Sequence, residues 1–158
     1  MAIKNIVIFD LDGTLADNSH RQHLVQKPNP EWDKFNLACA QDLPILSTVV
    51  TFQLYESAGY RPIITSGRSE VARFDTEHWI RTHLLSPNSR FQMDRDLFMR
   101  PQKDFRPDHE LKRGWLDPSI GKYIPKKYVL CVYDDRKSVV DMWRSEGLQC
   151  YQVAPGDF

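Results

Sequence analysis

Cysteine is scarce in this chain. Cys39, Cys131 and Cys150 are odd in number, and no two of them stand in a C-x-x-C spacing. That excludes a disulfide framework and a cysteine zinc site, and reads as reduced thiols in a cytoplasmic protein. Neither sign of charge is in excess: Lys and Arg total 21, Asp and Glu total 21, and the net charge is zero. No stable complex with long nucleic acid is therefore expected from bulk attraction, although a local basic patch fits the balance. No apolar run approaches the roughly 18 residues needed to span a bilayer. The opening Met1-Ala2-Ile3-Lys4-Asn5-Ile6 has no signal-peptide layout, so no membrane partner is expected. Repeats, low-complexity tracts and long linkers are also missing. What remains is 158 residues with 41% apolar and 27% charged side chains, the composition of one globular domain over 1–158.

Ile6-Val7-Ile8-Phe9 is a short β-branched and aromatic run, as expected of a strand buried on both faces. Tyr60 to Thr65 and Tyr128 to Tyr133 repeat the pattern, with weaker candidates at Leu97-Phe98-Met99 and Gln149 to Val153. Helical spacing lies between them. Ile45, Val49 and Phe52 precede Gly59, a C-cap signal; Val71, Phe74, His78 and Trp79 predict a helix within 69–85. Leu111 with Trp115, and Val139, Val140 and Trp143 before Gly147, mark two more. Alternating strands and helices predict an α/β fold with a doubly wound, mainly parallel sheet, whose ligand sits at the carboxyl ends of the strands. Residues 18–43 fit the alternation poorly. Asn29-Pro30 reads as a helix start, and Trp32, Phe35 and Cys39 follow at helical spacing, so a small helical insert or cap is expected there. The four tryptophans read as core.

Three strand candidates end in polar residues. Asp10 and Asp12 follow the first, two positions apart, so both side chains can point to one side. Gly13 permits a sharp turn, and Thr14 adds a hydroxyl and a backbone N–H. Two close carboxylates raise one pKa or bind a cation. If Asp134 converges on them, Asp10, Asp12 and Asp134 make an oxygen-rich site suited to Mg²⁺. An acidic turn whose carboxylates cap backbone amides is the competing reading.

Phe9-Asp10-Leu11-Asp12-Gly13-Thr14-Leu15 resembles the first motif of the haloacid dehalogenase-like (HAD) phosphohydrolases. The resemblance implies a Rossmann-like, HAD-type sheet with a small helical insert after its first strand. It implies that Asp10 attacks phosphorus to form an aspartyl-phosphate, and that Asp12 is a general acid and base, a role suited to a raised pKa. Ser66-Gly67-Arg68 matches the second motif, where the hydroxyl binds the phosphoryl group, Gly67 brings the backbone close and Arg68 adds donors. Lys112 matches the third, neutralising phosphate and Asp10; an exposed i, i+4 pair with Asp108 is the plainer alternative. Asp134 and Asp135 match the fourth, with Asp134 on Mg²⁺ and Asp135 orienting Lys112. Adjacent strand residues point opposite ways, which agrees with separate jobs; Asp135 can also serve as a helix N-cap.

Within that superfamily the chain resembles the phosphatase half of bacteriophage polynucleotide kinase–phosphatases. The likeness rests on Asp10 to Ala16 with Arg21, Arg106-Pro107-Asp108 with Lys112, Asp134-Asp135-Arg136, Val139 to Arg144 and Gln152 to Phe158. It adds Arg21, Arg68 and Asp108 to the phosphate network and implies removal of 3′-phosphates from nucleic-acid ends. No G-x-x-x-x-G-K-[ST] occurs, so kinase chemistry is not expected. Hydrolysis of free (deoxy)nucleoside monophosphates is the rival activity, and a catalytically silent binding module is the other alternative. Arg95, Arg100, Lys103 and Arg106 interleave with Phe98 and Phe105, a pattern open to contacts with a short strand or to a solvated loop. The five histidines lack transition-metal spacing and read as surface or packing residues, with substrate contact by His20 or His23 as the lesser alternative. Oligomeric state is left open.

Overall fold

The computed structural model describes residues 3–156. Met1, Ala2, Asp157 and Phe158 lie outside the described residues, including the last two positions of the chain-end likeness. The chain runs β1 (Ile6–Asp10), β2 (Ala16–Asp17), a 3₁₀ segment (Ser19–Val25), α1 (Trp32–Leu37), a second 3₁₀ turn (Ala38–Gln41) and β3 (Leu43–Pro44). It continues through α2 (Leu46–Ser57), β4 (Arg61–Ser69), a 3₁₀ turn (Glu70–Ala72), α3 (Arg73–His83), α4 (Met93–Asp96) and β5 (Leu97–Arg100). The last third holds α5 (Asp108–Gly114), β6 (Val129–Asp134), α6 (Lys137–Ser145) and β7 (Cys150–Gln152).

Five strands form one sheet in the order β5-β4-β1-β6-β7, with every pairing parallel. All five residues of β1 are buried, because it is the central strand and both faces are covered. Period-two alternation divides them. Ile6 and Ile8 join Leu111, Trp115, Val139, Val140 and Trp143 on one face. Val7 and Phe9 join Val49, Phe52, Trp79 and Ile80 on the other. The chain leaves β1 towards β4 and β5, then returns to fill β6 and β7 on the opposite side. The crevice of such a sheet opens where those directions diverge, at the carboxyl ends of β1 and β6.

Several local expectations need correction. β4 continues to Ser69, with a register irregularity against β5 between Ser66 and Ser69, so Ser66-Gly67-Arg68 sits within a strand rather than after it. Val71 and Phe74 are exposed; α3 begins only at Arg73, after a 3₁₀ turn that resets its phase, and buries Thr76, Trp79 and Ile80. Trp32 is exposed as well. The helix it opens is six residues long and buries Phe35, while Cys39 is buried from the 3₁₀ turn beyond. Its N-cap is Glu31, not Asn29.

The expected insert is a mainly helical excursion between two antiparallel rungs, Ala16↔Pro44 and Asp17↔Leu43. Among the described residues no helix is long and apolar enough to cross a membrane.

Candidate active site

β1 delivers Asp10 to the crevice, and the chain then turns tightly, with the amides of Leu15 and Ala16 both donating to the Leu11 carbonyl at 2.9 and 2.8 Å. Gly13 holds φ +85° in that turn, and a Cβ there would strike the Asp135 carboxylate. The position thus needs glycine for both backbone and space. β6 delivers Asp134, and Asp135 follows. Carboxylate oxygens of Asp10, Asp134 and Asp135 lie within 4.8 Å of one another, and all three residues are buried. Lys112 rises from α5 into this cluster, with its ammonium donating to Asp10 Oδ1 at 2.5 Å and to Asp134 Oδ2 at 2.8 Å. The lysine is itself 2% exposed. Trp143 Nε1 donates to Asp134 Oδ2 at 3.4 Å, and Thr14 Oγ1 donates to Asp135 Oδ1 at 3.4 Å.

Crowding sets the proton affinities. Burial pushes the Asp10 carboxyl well above its ordinary value; Lys112 opposes this, while Asp134 and Asp135 add to it. Burial, then repulsion from Asp134, raises Asp135 to about 6. Burial works against the Lys112 charge, but Asp10 and Asp134 outweigh it and the ammonium is held firmly. Three buried carboxylates offering only oxygen donors fit a hard divalent cation, which would remove the same repulsion.

Asp12 departs from expectation in two ways. Its carboxylate lies outside the cluster, so Asp12 is corrected as a side-chain metal ligand; Asp135 stands there instead. β6 ends at Asp134, so strict alternation no longer governs the residue that follows. Its pKa is also lowered, not raised: burial pushes up, but Arg68 and Arg21 together pull harder the other way. Arg68 Nε donates to both Asp12 oxygens at 3.1 and 2.9 Å, and Arg21 Nη2 donates to Oδ1. Arg68 and Arg21 are wholly buried. They converge again on Asp42, which accepts from Arg21 Nε at 2.7 Å, Arg21 Nη2 at 2.6 Å and Arg68 Nη2 at 2.5 Å. His20 Nε2 lies 2.9 Å from Asp42 Oδ1, and the Asp42 carbonyl accepts from Trp79 Nε1 at 2.6 Å. Both arginines are thus engaged within the protein, Arg21 also donating to the Phe35 carbonyl at 3.0 Å and Arg68 to Thr76 Oγ1 at 3.4 Å.

Of the remaining predicted residues, Ser66 is buried and its Oγ accepts from the Arg68 amide at 3.1 Å. Gly67 leaves room for Asp108, whose Oδ1 lies 2.8 Å from where a Cβ would sit. Asp108 accepts from Arg100 Nη2 and from Arg136 Nη1, the latter at 2.7 Å, and the described bonds hold no Asp108–Lys112 pair. Asp135 is not bonded to Lys112 either; Asp134 takes that place. Sequence reasoning missed Asp42, for which no local motif exists. It also missed Thr65, in register with Asp10, whose buried hydroxyl is the one buried side-chain polar atom without a partner among the described residues.

A parallel sheet with Asp10 ending its central strand and Asp12 two residues on, a lysine reaching the first, and Asp134 ending the neighbouring strand with Asp135 after it is the arrangement of the HAD phosphatase class. The chain matches the model of the polynucleotide kinase PNKP phosphatase domain over residues 4–158, and it belongs to that family. It is 33% identical over 141 residues to a protein assigned as a bifunctional polynucleotide kinase/RNA ligase of Autographa californica nuclear polyhedrosis virus. That alignment covers 87% of this chain and 17% of the viral one. Chains from two structures of a Pnkp1/Rnl/Hen1 complex, one named as an RNA repair complex, superpose with TM-scores of 0.73 and 0.76 at 31% identity. They cover 99% and 100% of this chain, which spans 44% and 48% of theirs. The Class C acid phosphatase of Bacillus anthracis with tungstate bound shares the fold at TM-score 0.65 and 15% identity, over 99% of this chain and 68% of its own.

Proposed function

We propose that the chain is a Mg²⁺-dependent phosphomonoesterase that removes 3′-phosphates from nucleic-acid ends through an aspartyl-phosphate on Asp10. The observation that carries this reading is Asp10 itself, buried at the sheet's switch point and bonded to Lys112. The substrate class is supported by family membership and by the kinase/ligase relative. Phosphate monoesters hydrolyse so slowly that enzymes supply enhancements up to ~10²¹, and a covalent intermediate divides that barrier.

In the first step an Asp10 oxygen bonds to phosphorus as the bond to the 3′-oxygen breaks, and Asp12 gives that oxygen its proton. In the second step water attacks the aspartyl-phosphate, its proton passes to Asp12, and phosphate leaves. Asp12, kept ionised by Arg68 and Arg21, is ready to take the water proton in the second step, and the negative charge of a bound phosphate raises its proton affinity for the first. Asp10, Asp134 and Asp135 would hold the Mg²⁺, which would supply positive charge for the phosphoryl oxygens. Lys112 neutralises Asp10 and the incoming phosphate. Ser66 uses its oxygen for the Arg68 amide, which leaves its hydroxyl hydrogen for a phosphoryl oxygen. Thr14 and Gly67 shape the cradle, and Asp135 also steadies Thr14. Arg21, Arg68 and Asp108 act by positioning: two fix Asp12, and the third fixes Arg100 and Arg136.

Phosphate release with Mg²⁺ from three substrates tests the reading: a 3′-phosphorylated oligonucleotide, a nucleoside 3′-monophosphate and a nucleoside 5′-monophosphate. The highest kcat/KM is expected on the first. A preference for the last would move the protein to free-nucleotide hydrolysis, and no release from any would mark it as a silent module.

A further inference from the structure

Phe105 is 91% exposed, the largest exposure among the described apolar side chains. A phenylalanine left in water usually belongs to a loose segment, and this one does not. Arg100, the last residue of β5, braces both sides of it: Nη1 donates to the Asp104 carbonyl at 3.1 Å and to the Arg106 carbonyl at 2.7 Å. The Asp104 carboxylate accepts from the Arg106 backbone amide at 3.0 Å and from Arg106 Nη2 at 2.6 Å. The Asp104 amide donates to Pro101 at 3.2 Å, closing a turn in which Lys103 takes the uncommon φ of 64°. The backbone that carries the ring is therefore held, and only the two side-chain torsions remain to be fixed when something binds it.

That support is tied to the catalytic crevice. Arg100 Nε donates to the Gly67 carbonyl at 2.9 Å, beside Ser66, and its Nη2 bonds Asp108. Lys103 and Arg106 flank the ring and are exposed; the Arg106 guanidinium is paired with Asp104 and sits near Glu110, so Lys103 is the cation left to meet a ligand. A solvent-facing aromatic ring on a braced backbone, beside the exposed Lys103 and joined through Arg100 to the phosphate site, matches a polyanion that carries flat bases.

Resting on the reading above, we propose that Phe105 is a stacking platform for a nucleobase of the substrate strand upstream of the 3′-terminal phosphate. Stacking tolerates any base, so the platform selects for a strand over a single nucleotide without selecting its sequence. It also grips an end without needing the net positive charge that this chain lacks.

The test is a cycle of protein and substrate variants. Phe105→Ala, Phe105→Leu and Phe105→Trp are compared with the unaltered protein on a 3′-phosphorylated oligonucleotide, and on the same strand with its upstream bases replaced by abasic sugars. Alanine and leucine should raise KM about 5- to 100-fold on the intact strand, with the loss falling on KM rather than kcat, and tryptophan should restore it. On the abasic strand the unaltered protein and the alanine variant should converge. Equal KM values for alanine and phenylalanine on the intact strand would overturn the platform, as would an alanine defect undiminished on the abasic strand. If the unaltered protein releases no phosphate from any 3′-phosphorylated oligonucleotide, the functional reading itself fails, and the platform with it.

Discussion

Asp10 and Asp12 are two positions apart and live in opposite electrostatic surroundings. Asp10 is buried and crowded by Asp134 and Asp135, which the ammonium it shares with Asp134 does not offset, so its proton is held more tightly than in an unfolded chain. Asp12 is gripped by two guanidinium groups, so its proton is held less tightly. The signs lead to a stability prediction. A carboxyl with a raised folded pKa costs stability once the pH exceeds its unfolded value near 4. Asp10→Asn should therefore be neutral or stabilising at pH 7 without divalent metal, by about 1 kcal/mol or 3 °C in Tm. Lys112→Met, which strips a buried cluster of its cation, should lose about 3–5 kcal/mol. Chemical denaturation of both variants in EDTA checks the pair. Asp10 was legible because it ends an apolar run. The surroundings of Asp12 were not: its partners lie 9 and 56 residues away, and no local pattern announces which arginine will be buried.

At the scale of elements, the insert and the sheet meet through Asp42. This residue follows the 3₁₀ turn Ala38–Gln41, is buried, and collects Arg21 from the insert and Arg68 from β4. Asp42→Asn should leave those two guanidinium groups short of charge. We expect a loss of about 3–5 kcal/mol and slower phosphate release, measured by urea melts and steady-state kinetics. On the far side of the sheet Asp96 anchors the start of β5 by accepting from Arg61 at 2.7 Å and Arg95 at 2.7 and 2.9 Å. Burial alone would raise its pKa, but Arg95, the Gln92 amide and Arg61 prevail and hold it low. Its contribution is thus complete above the unfolded carboxyl pKa and fades as the pH falls through the lowered folded one. Asp96→Asn should cost about 2 kcal/mol at pH 7, with the gap to the unaltered protein closing in a thermal-melt series as the pH falls below the ordinary carboxyl range. β1, β4 and β6 could be read from apolar runs, since central parallel strands are buried on both faces, while the edge strands β5 and β7 showed only a weaker run and an alternating tail. The phase of α3 and the end of β4 could not, because a 3₁₀ turn and a strand irregularity shift registers that periodicity assumes constant.

Over the whole molecule, the sheet order brings residues more than a hundred positions apart into one acidic pocket. A divalent ion that binds only the folded pocket should stabilise the entire chain. Mg²⁺ at 100 times its Kd should add about 2.7 kcal/mol, and Asp134→Ala should abolish the shift; calorimetric melts with and without the ion show either result. The central claim is that Asp10 carries the phosphoryl group. Acid-quenching a brief reaction with 3′-³²P-labelled oligonucleotide tests it directly. We predict protein-bound label that hydroxylamine releases, that maps to the peptide containing Asp10, and that is missing from Asp10→Asn. Phosphate turnover that persists in Asp10→Asn, or label that stays bound to that variant, would contradict the account.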